Sequence, residues 1–403
     1  VNKEKTILKL PSSIWILGLT GFLLNLSVIM VFSQMPMFMK LELGATESQI
    51  GVIDGFVECI SYGVRILAGS ASDLIQGRKF VLSIGYGLAT FVKPFFVFSS
   101  SVLFVIVIRS LDRLANGIQA SPRDALIGDL APPNQRGASY GLYRSLKTAG
   151  SVVASILVIW IMTATNNNFR FLFMLAFIPS LIAFILFLVG VHEPRHRNKL
   201  LIKTPDDEKK IRWRSFLELK SGYWKLILLL SIFELAHFGE SYLIFRAEEV
   251  GIPISHVSSV LLFFNLGQVF ISFPLGALSD KFQRRDLLLI GILFMVMANI
   301  CMIYGSSPLI ILIGTFLWGA QMGATQSIFV SMISDESPQY IRGTAFGIFY
   351  MVMGLDILIA SKLAGFIWEK SGSTSAFFYS ACVSVFSILC LFILVPRHKK
   401  IAA

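Results

Sequence analysis

Apolar runs long enough to cross about 30 Å of hydrocarbon recur twelve times along the 403 residues, separated by polar gaps. Their approximate limits are 14–39, 49–72, 80–99, 102–127, 138–164, 170–190, 224–246, 255–279, 287–305, 308–333, 343–367 and 375–395. The pattern predicts an all-α membrane protein, and the runs are numbered here as spans 1 to 12. Lys3, Lys5 and Lys9 precede span 1 in the manner of a signal peptide. The run then continues past twenty residues without a small-x-small cleavage pattern, so it is expected to be retained as a membrane helix. The longest polar gap carries Pro194, Pro205, Asp206-Asp-Glu-Lys-Lys210 and Arg212-Trp-Arg214. It reads as a cytoplasmic linker, with room for an interfacial amphipathic helix. The expected organisation is a six-helix bundle over 1–191, a linker over 192–223 and a second six-helix bundle over 224–403.

Composition supports the membrane reading. Hydrophobic residues make up 55% of the chain, charged residues 15%, and mean hydropathy is +0.72; a soluble domain carries about 25% charged residues. The net charge of +11 does not point to nucleic acid, because the basic residues gather in the gaps. Counting Lys and Arg with both ends inside gives 22 in the inner segments and 4 in the outer ones. The positive-inside rule then places both ends in the cytoplasm, and a bacterial cytoplasmic membrane is the expected location. Cys59, Cys301, Cys382 and Cys390 all lie in apolar runs with no Cys-x-x-Cys spacing, so they read as small buried apolar residues.

The two halves repeat. Asp129-Leu-Ala-Pro-Pro-Asn-Gln-Arg-Gly137 aligns without gaps on Asp335-Glu-Ser-Pro-Gln-Tyr-Ile-Arg-Gly343, 206 residues later. Gly69-Ser-Ala-Ser-Asp73 with Arg78-Lys79 matches Gly276-Ala-Leu-Ser-Asp280 with Arg284-Arg285. Parallel six-span repeats across a long central loop are the plan of the major facilitator superfamily, which the chain resembles along its whole length. The stretch from Gly69 through Asp73 to Gly77-Arg78-Lys79 is similar to that family's loop-2/3 motif, and Arg113-Leu-Ala-Asn-Gly117 to its fourth-helix motif. Ile53-Asp-Gly-Phe-Val-Glu58, Asp112-Arg113 and Pro122-Arg-Asp-Ala-Leu-Ile127 further resemble bacterial nickel-resistance and drug-efflux permeases. The chain departs from that subgroup at Leu24-Asn-Leu-Ser-Val-Ile29, which lacks an acid. It departs again at Arg144-Ser-Leu-Lys147, which puts a base where an acid is usual, and at Gly150-Ser-Val-Val-Ala-Ser155, which lacks a Gly-Pro signature. The resemblance implies that Arg113 takes part in proton coupling. It also implies that Gly69, Asp73, Arg78, Lys79, Asp280 and Arg284 control the conformational switch, with Asp73 locking the halves at the N-terminus of span 11.

Charges at membrane depth cost about 2.5–3.5 kcal/mol each even on lenient scales, so those present need partners or a polar cavity. Glu58, Asp112, Arg113, Lys147 and Glu234 fall near the middle of their spans. At about 100° per residue, Asp54, Glu58, Ser61 and Arg65 share one face of span 2. Glu58 reads either as a proton-accepting carboxylate in a cavity wall or as one member of an interhelical salt bridge. Arg109 and Arg113 share a face of span 4. Asp112 points about 100° away from Arg113, which leaves Arg113 to reach the cavity or an acid on another helix. Arg144 and Lys147 add bases on span 5 and suit a substrate carboxylate or phosphate, unless Asp54, Glu58 and Asp112 consume all these bases. Glu234, His237 and Glu240 fan across about 120° of a helical span 7. They read as a substrate or proton site, as packing groups, or as a weak metal site built on His237 and Glu234. Asp356 and Lys93 are expected nearer the outer face, as gate residues or, for Lys93, as a snorkelling base.

The expectation is therefore a proton-coupled secondary transporter working by alternating access. The family resemblance favours export of drug- or metal-like solutes. The alternative is a proton symporter importing an anionic or zwitterionic metabolite or siderophore. The expected partners are a small solute, protons and the bilayer, for a monomer with no cofactor beyond the proton gradient and no nucleic acid. A membrane-embedded enzyme finds no Gly-x-Ser-x-Gly, His-Glu-x-x-His or nucleotide-binding glycine loop. A transporter-like sensor finds no recognisable output domain in the linker.

Overall fold

The computed structural model describes residues 10–75, 77–132, 135–192, 219–278, 283–337 and 342–395, and each of the twelve expected runs is helical over most of its described length. Span 1 is Ser12–Phe32 and, after a break at Ser33-Gln34, Met35–Leu41. Span 2 is Glu47–Ile75, span 3 Arg78–Val92 with a tighter turn over Lys93–Phe98, span 4 Val102–Leu130, span 5 Arg136–Ala164 and span 6 Phe169–Gly190. Span 7 is Ser221–Glu234 and then Ser241–Glu249. Span 8 is Ile254–His256 continued by Ser258–Leu278, span 9 Arg284–Tyr304, span 10 Pro308–Glu336, span 11 Arg342–Ser371 and span 12 Ser373–Leu394. Most of the expected linker lies outside the described residues.

Over the described residues, nine helices are long and apolar enough to cross a membrane by composition. The other three are spans 2, 4 and 7. Spans 2 and 4 carry Asp54, Glu58 and Arg65, and Arg109, Asp112 and Arg113, in their interiors. Span 7 is interrupted. The helices that depart from the simple apolar pattern are thus those holding most of the buried charge.

Packing follows the repeat. Span 1 packs on 5 and 6, span 2 on 4, and span 3 on 4 and 6; in the second half, 7 packs on 11 and 12, 8 on 10, and 9 on 10 and 12. Adding six to each number of the first set yields the second. Span 2 meets 11 across the halves and span 5 meets 8, a pair of contacts that the same shift exchanges. Finer details repeat at the 206-residue offset. The second segment of span 1 begins at Met35 and that of span 7 at Ser241. Arg78 pairs with Asp129 at 2.6 Å, and Arg284 pairs with Asp335. Both pairs staple the start of the third helix of a half to the end of the fourth. Lys79 donates to the Leu188 carbonyl at 2.8 Å, and its counterpart Arg285 lies 4.6 Å from the Phe392 ring, so each base sits on the last helix of its half. The surroundings of Gly69 and Asp73, and all of Asp280, lie outside the described residues.

Outer and inner are used here as the Lys/Arg count assigns them. All hydrogen bonds and ion pairs joining described residues of the two halves lie toward the outer end. Lys40 Nζ meets Glu248 Oε2 at 2.9 Å; Gln34 Nε2 donates to Ser258 Oγ at 3.1 Å and to the Ile254 carbonyl at 3.3 Å; Ser258 donates to Ser33 at 3.0 Å. Gly365 packs against Ser48, where a Cβ would stand 2.7 Å from the Ser48 Cα. The outer end is closed.

The halves differ where spans 2 and 4, and their counterparts 8 and 10, cross. The counterparts of Arg109, Asp112 and Arg113 are Thr315, Trp318 and Gly319. Spans 8 and 10 meet backbone to backbone: the Phe264 carbonyl occupies the place of a Cβ at Gly319, and the Phe316 carbonyl that of a Cβ at Gly267. Forcing a side chain into such a contact typically costs 1–3 kcal/mol or somewhat more. Gly319→Val is therefore expected to lower stability by about 3 kcal/mol in detergent thermal unfolding. Gly63→Val, on span 2 with nothing within 4 Å of its would-be Cβ, is expected to leave the melting temperature nearly unchanged.

Candidate functional site

Spans 2 and 4 carry two ion pairs one helical turn apart. Arg109 Nη1 pairs with Asp54 Oδ1, and Arg113 Nε lies 3.2 Å from Glu58 Oε1. The i,i+4 spacing on each helix makes this possible, since both members of each set face the same way. Asp54 and Arg109 are each seven residues from the outer end of their helix, about 10 Å deep at 1.5 Å per residue. Both are buried, at 4% and 5% exposure, whereas the Glu58 side chain keeps 32%. The Phe32 ring lies 5.9 Å from Arg109 and 5.2 Å from Arg113, giving the two guanidiniums a shared aromatic face. Asp54 has a further partner in the other half, because Ser241 Oγ donates to its Oδ2.

Asp112 faces away from Arg113, as the helical angle requires, and Lys93 Nζ meets it at 2.7 Å. Lys93 is 1% exposed, so it is the buried half of an ion pair and does not snorkel. Asp54, Glu58 and Asp112 therefore consume Arg109, Arg113 and Lys93. They leave Lys147 and Arg144 with no carboxylate in ion-pairing reach among the described residues. Lys147 is half-buried on span 5 with Arg123, Arg65, Asp124 and Arg113 as electrostatic neighbours. Arg123 is matched by Asp124 at 2.8 Å. Arg65 does not neutralise an acid of its own stripe. It lies 5.2 Å from the Tyr62 ring and 5.0 Å from the Tyr350 ring, and these rings stack across spans 2 and 11 at 5.9 Å.

The second half corrects two expectations. Span 7 is not continuous through Glu234, His237 and Glu240: the helix stops at Glu234 and resumes at Ser241, so a 100° fan does not describe these residues. The interruption frees backbone groups that lipid cannot satisfy, and neighbouring helices take them up. Tyr379 donates to the Leu235 carbonyl at 3.2 Å, Ser380 to the Ala236 carbonyl at 2.7 Å, and the Gly239 N–H donates to Ser361 at 3.3 Å. Asp356 is not near the outer face. It lies fourteen residues from one end of span 11 and fifteen from the other, accepting from Ser231 at 2.8 Å.

Ser231 and Glu234 are three residues apart on the inner segment of span 7, so Glu234 shares a face with the serine that holds Asp356. His237 Nδ1 is 3.8 Å from Glu234 Oε2, and its ring packs on Phe233 at 5.9 Å and Trp318 at 5.7 Å. Neither ring nitrogen of His237 has a hydrogen-bond partner, nor has Asp356 Oδ2. No group of three His, Cys, Asp or Glu among the described residues is placed to hold a metal ion. Glu240 stands at the start of the outer segment, with Glu58, Arg113 and Asp54 as electrostatic neighbours.

Sequence reasoning missed Ser241, Ser231 and the Tyr62–Tyr350 pair. The repeat offset carried a signal for two of them, since Ser241 corresponds to Met35 and Tyr350 to Arg144. Each is a polar or aromatic residue on one half where its copy differs in kind.

A family model described as Major Facilitator Superfamily matches residues 17–246 and 241–402. An uncharacterized MFS-type transporter of Methanocaldococcus jannaschii is 28% identical over 395 residues, covering 96% of each chain. The quinolone resistance protein NorA of Staphylococcus aureus is 21% identical over 247 residues, 61% of each chain. The crystal structure of a D-xylose-proton symporter superposes with a TM-score of 0.75 at 17% identity, over 96% of this chain and 98% of that one.

Breaking a buried ion pair by removing one partner costs about 3–5 kcal/mol, whereas replacing both partners with apolar groups is often neutral. Lys93→Met is therefore expected to lower the detergent melting temperature sharply by stranding Asp112. The double substitution Lys93→Met/Asp112→Leu is expected to restore most of it. Equal losses in the single and double variants would show that the pair is not the stabilising unit.

Proposed function

The chain belongs to the major facilitator superfamily, a membrane transporter and not an enzyme, and we propose that it moves a small solute by proton-coupled alternating access. The observation that carries this reading is the position of Asp54. It accepts from Arg109 in its own half and from Ser241 in the other half, one turn above the more accessible Glu58–Arg113 pair.

An ionised Asp54 makes charge-assisted contacts, roughly twice as strong as neutral ones, and these tie the outer end shut. Glu58 is the acid a proton can reach. Protonating it frees Arg113, whose guanidinium is one helical turn from Asp54 and shares the Phe32 face with Arg109. The proton at Glu58 thereby changes how many cations compete for Asp54, and with it the hold on Ser241. A ligand or proton shifts a two-state equilibrium only by its differential affinity for the two states, and this arrangement supplies such a difference.

Export in exchange for protons is the direction we propose, across a cytoplasmic membrane with both ends of the helical array inside. It is supported by the likeness of the span-2 and span-4 motifs to efflux permeases and by the similarity to a quinolone resistance protein.

Glu58→Gln and Arg113→Ala are each expected to insert normally and to reduce pH-gradient-driven solute flux in reconstituted vesicles by at least tenfold. The solute is one that raises the melting temperature of the purified protein in a ligand screen. Wild-type flux in both variants would overturn proton coupling through this pair, and flux driven only inward by an inward proton gradient would overturn export.

A further inference from the structure

Resting on the transporter reading, we propose that the solute is dipolar. It is a small molecule with an anionic group held by Lys147 of span 5 and an ammonium or equivalent cation held by Glu234 and Asp356 of spans 7 and 11. The inference comes from which charges in the membrane interior have partners. Arg109, Arg113, Lys93 and Arg123 are each matched by an acid, at Asp54, Glu58, Asp112 and Asp124. Arg65 lies against two tyrosine rings. Lys147 and Arg144 are left over in the first half; Lys147 is the more buried of the two, with Arg123, Arg65, Arg113 and one acid, Asp124, as electrostatic neighbours.

The second half has the opposite surplus. Glu234 and Asp356 are 8% and 7% exposed, and no Lys or Arg among the described residues pairs with either. His237, 8% exposed, stands beside Glu234 with its Nδ1 3.8 Å from Glu234 Oε2, and neither ring nitrogen has a hydrogen-bond partner. Its unpartnered Nε2 adds a third buried polar group to the two acids. Glu234 also ends the inner segment of span 7, and a helix C-terminus favours a cation. Interrupted helices near the membrane midplane are where transporters of this kind hold charged substrate groups. Tyr62 has Glu58, Arg65, Glu234 and Tyr350 as its electrostatic neighbours, and Arg65 is a neighbour of Lys147 as well.

A purely anionic solute would satisfy Lys147 and leave two buried acids uncompensated; a purely cationic one would do the reverse. A dipolar molecule meets both needs at once. Spans 5 and 7 belong to different halves, so it would also bridge the parts that must move together.

The test is a thermal-shift series on the purified full-length chain in detergent, with no gradient present. The probes are apolar amino acids and dipeptides, each with its N-acetyl derivative, which lacks the cation, and its C-terminal amide, which lacks the anion. At least one parent compound is expected to stabilise the protein, and each derivative to bind at least tenfold more weakly. In Lys147→Met the amide is expected to bind as well as the parent, and in Glu234→Gln the acetylated form is. The comparison lies within each variant, so an altered basal melting temperature does not obscure it. Absence of stabilisation by every parent, or equal stabilisation by either derivative in the unsubstituted protein, would overturn the proposal. Because binding is read without a gradient, wild-type flux in Glu58→Gln would remove proton coupling and leave this inference standing.

Discussion

Charge buried within the bilayer is the constraint on which the rest of this structure depends. A single uncompensated ion there is costly enough to oppose insertion, and the chain carries many. The response is geometric. Acids and bases placed four residues apart on spans 2 and 4 face one another in register, so two ion pairs form along one helix crossing. Asp112, turned to the next face of span 4, meets Lys93 on span 3. These pairs fix the rotation of three helices about their axes as firmly as apolar packing fixes the others. They also bring Asp54 to the surface that the second half covers with Ser241.

The second half solves the same crossing without charge. Gly319 and Gly267 let spans 8 and 10 touch through their backbones, as small residues do in membrane helix packing. Its polar groups collect instead at the interruption in span 7, where hydroxyls of spans 11 and 12 take up the freed backbone groups. One duplicated architecture thus holds two kinds of interior: a cross-linked ionic one, and a dry one with a polar break.

Much of this was legible in the chain, for physical reasons. Apolar run length is a direct readout of membrane thickness, so the helices were found within a few residues. The motif offset of 206 predicted a repeat, and the Arg78–Asp129 and Arg284–Asp335 pairs show the two motifs of each half meeting in space. Helical angles separated Asp112 from Arg113 correctly. The break in span 7 was not legible: Leu235-Ala-His-Phe-Gly239 holds one glycine and no proline, and its cause lies in partners on other helices. The central depth of Asp356 was legible, since it stands one residue past the middle of its apolar run, 343–367, and the outward placement did not follow from the sequence.

The ionic interior of the first half has one more consequence. Its three pairs, Arg109–Asp54, Arg113–Glu58 and Lys93–Asp112, are each neutral as a unit, so in the proposed alternating-access cycle they would carry no net charge through the membrane field. Moving one elementary charge fully across 100 mV is worth about 2.3 kcal/mol. A half laced with free charges would make every conformational step voltage-dependent. Here the membrane potential acts mainly on groups outside such pairs, among them Arg65, Arg144 and Lys147 in the first half and Glu234, Glu240 and Asp356 in the second. The paired part of the scaffold is electrically silent, and the proposed cargo site is among the groups that the potential can feel.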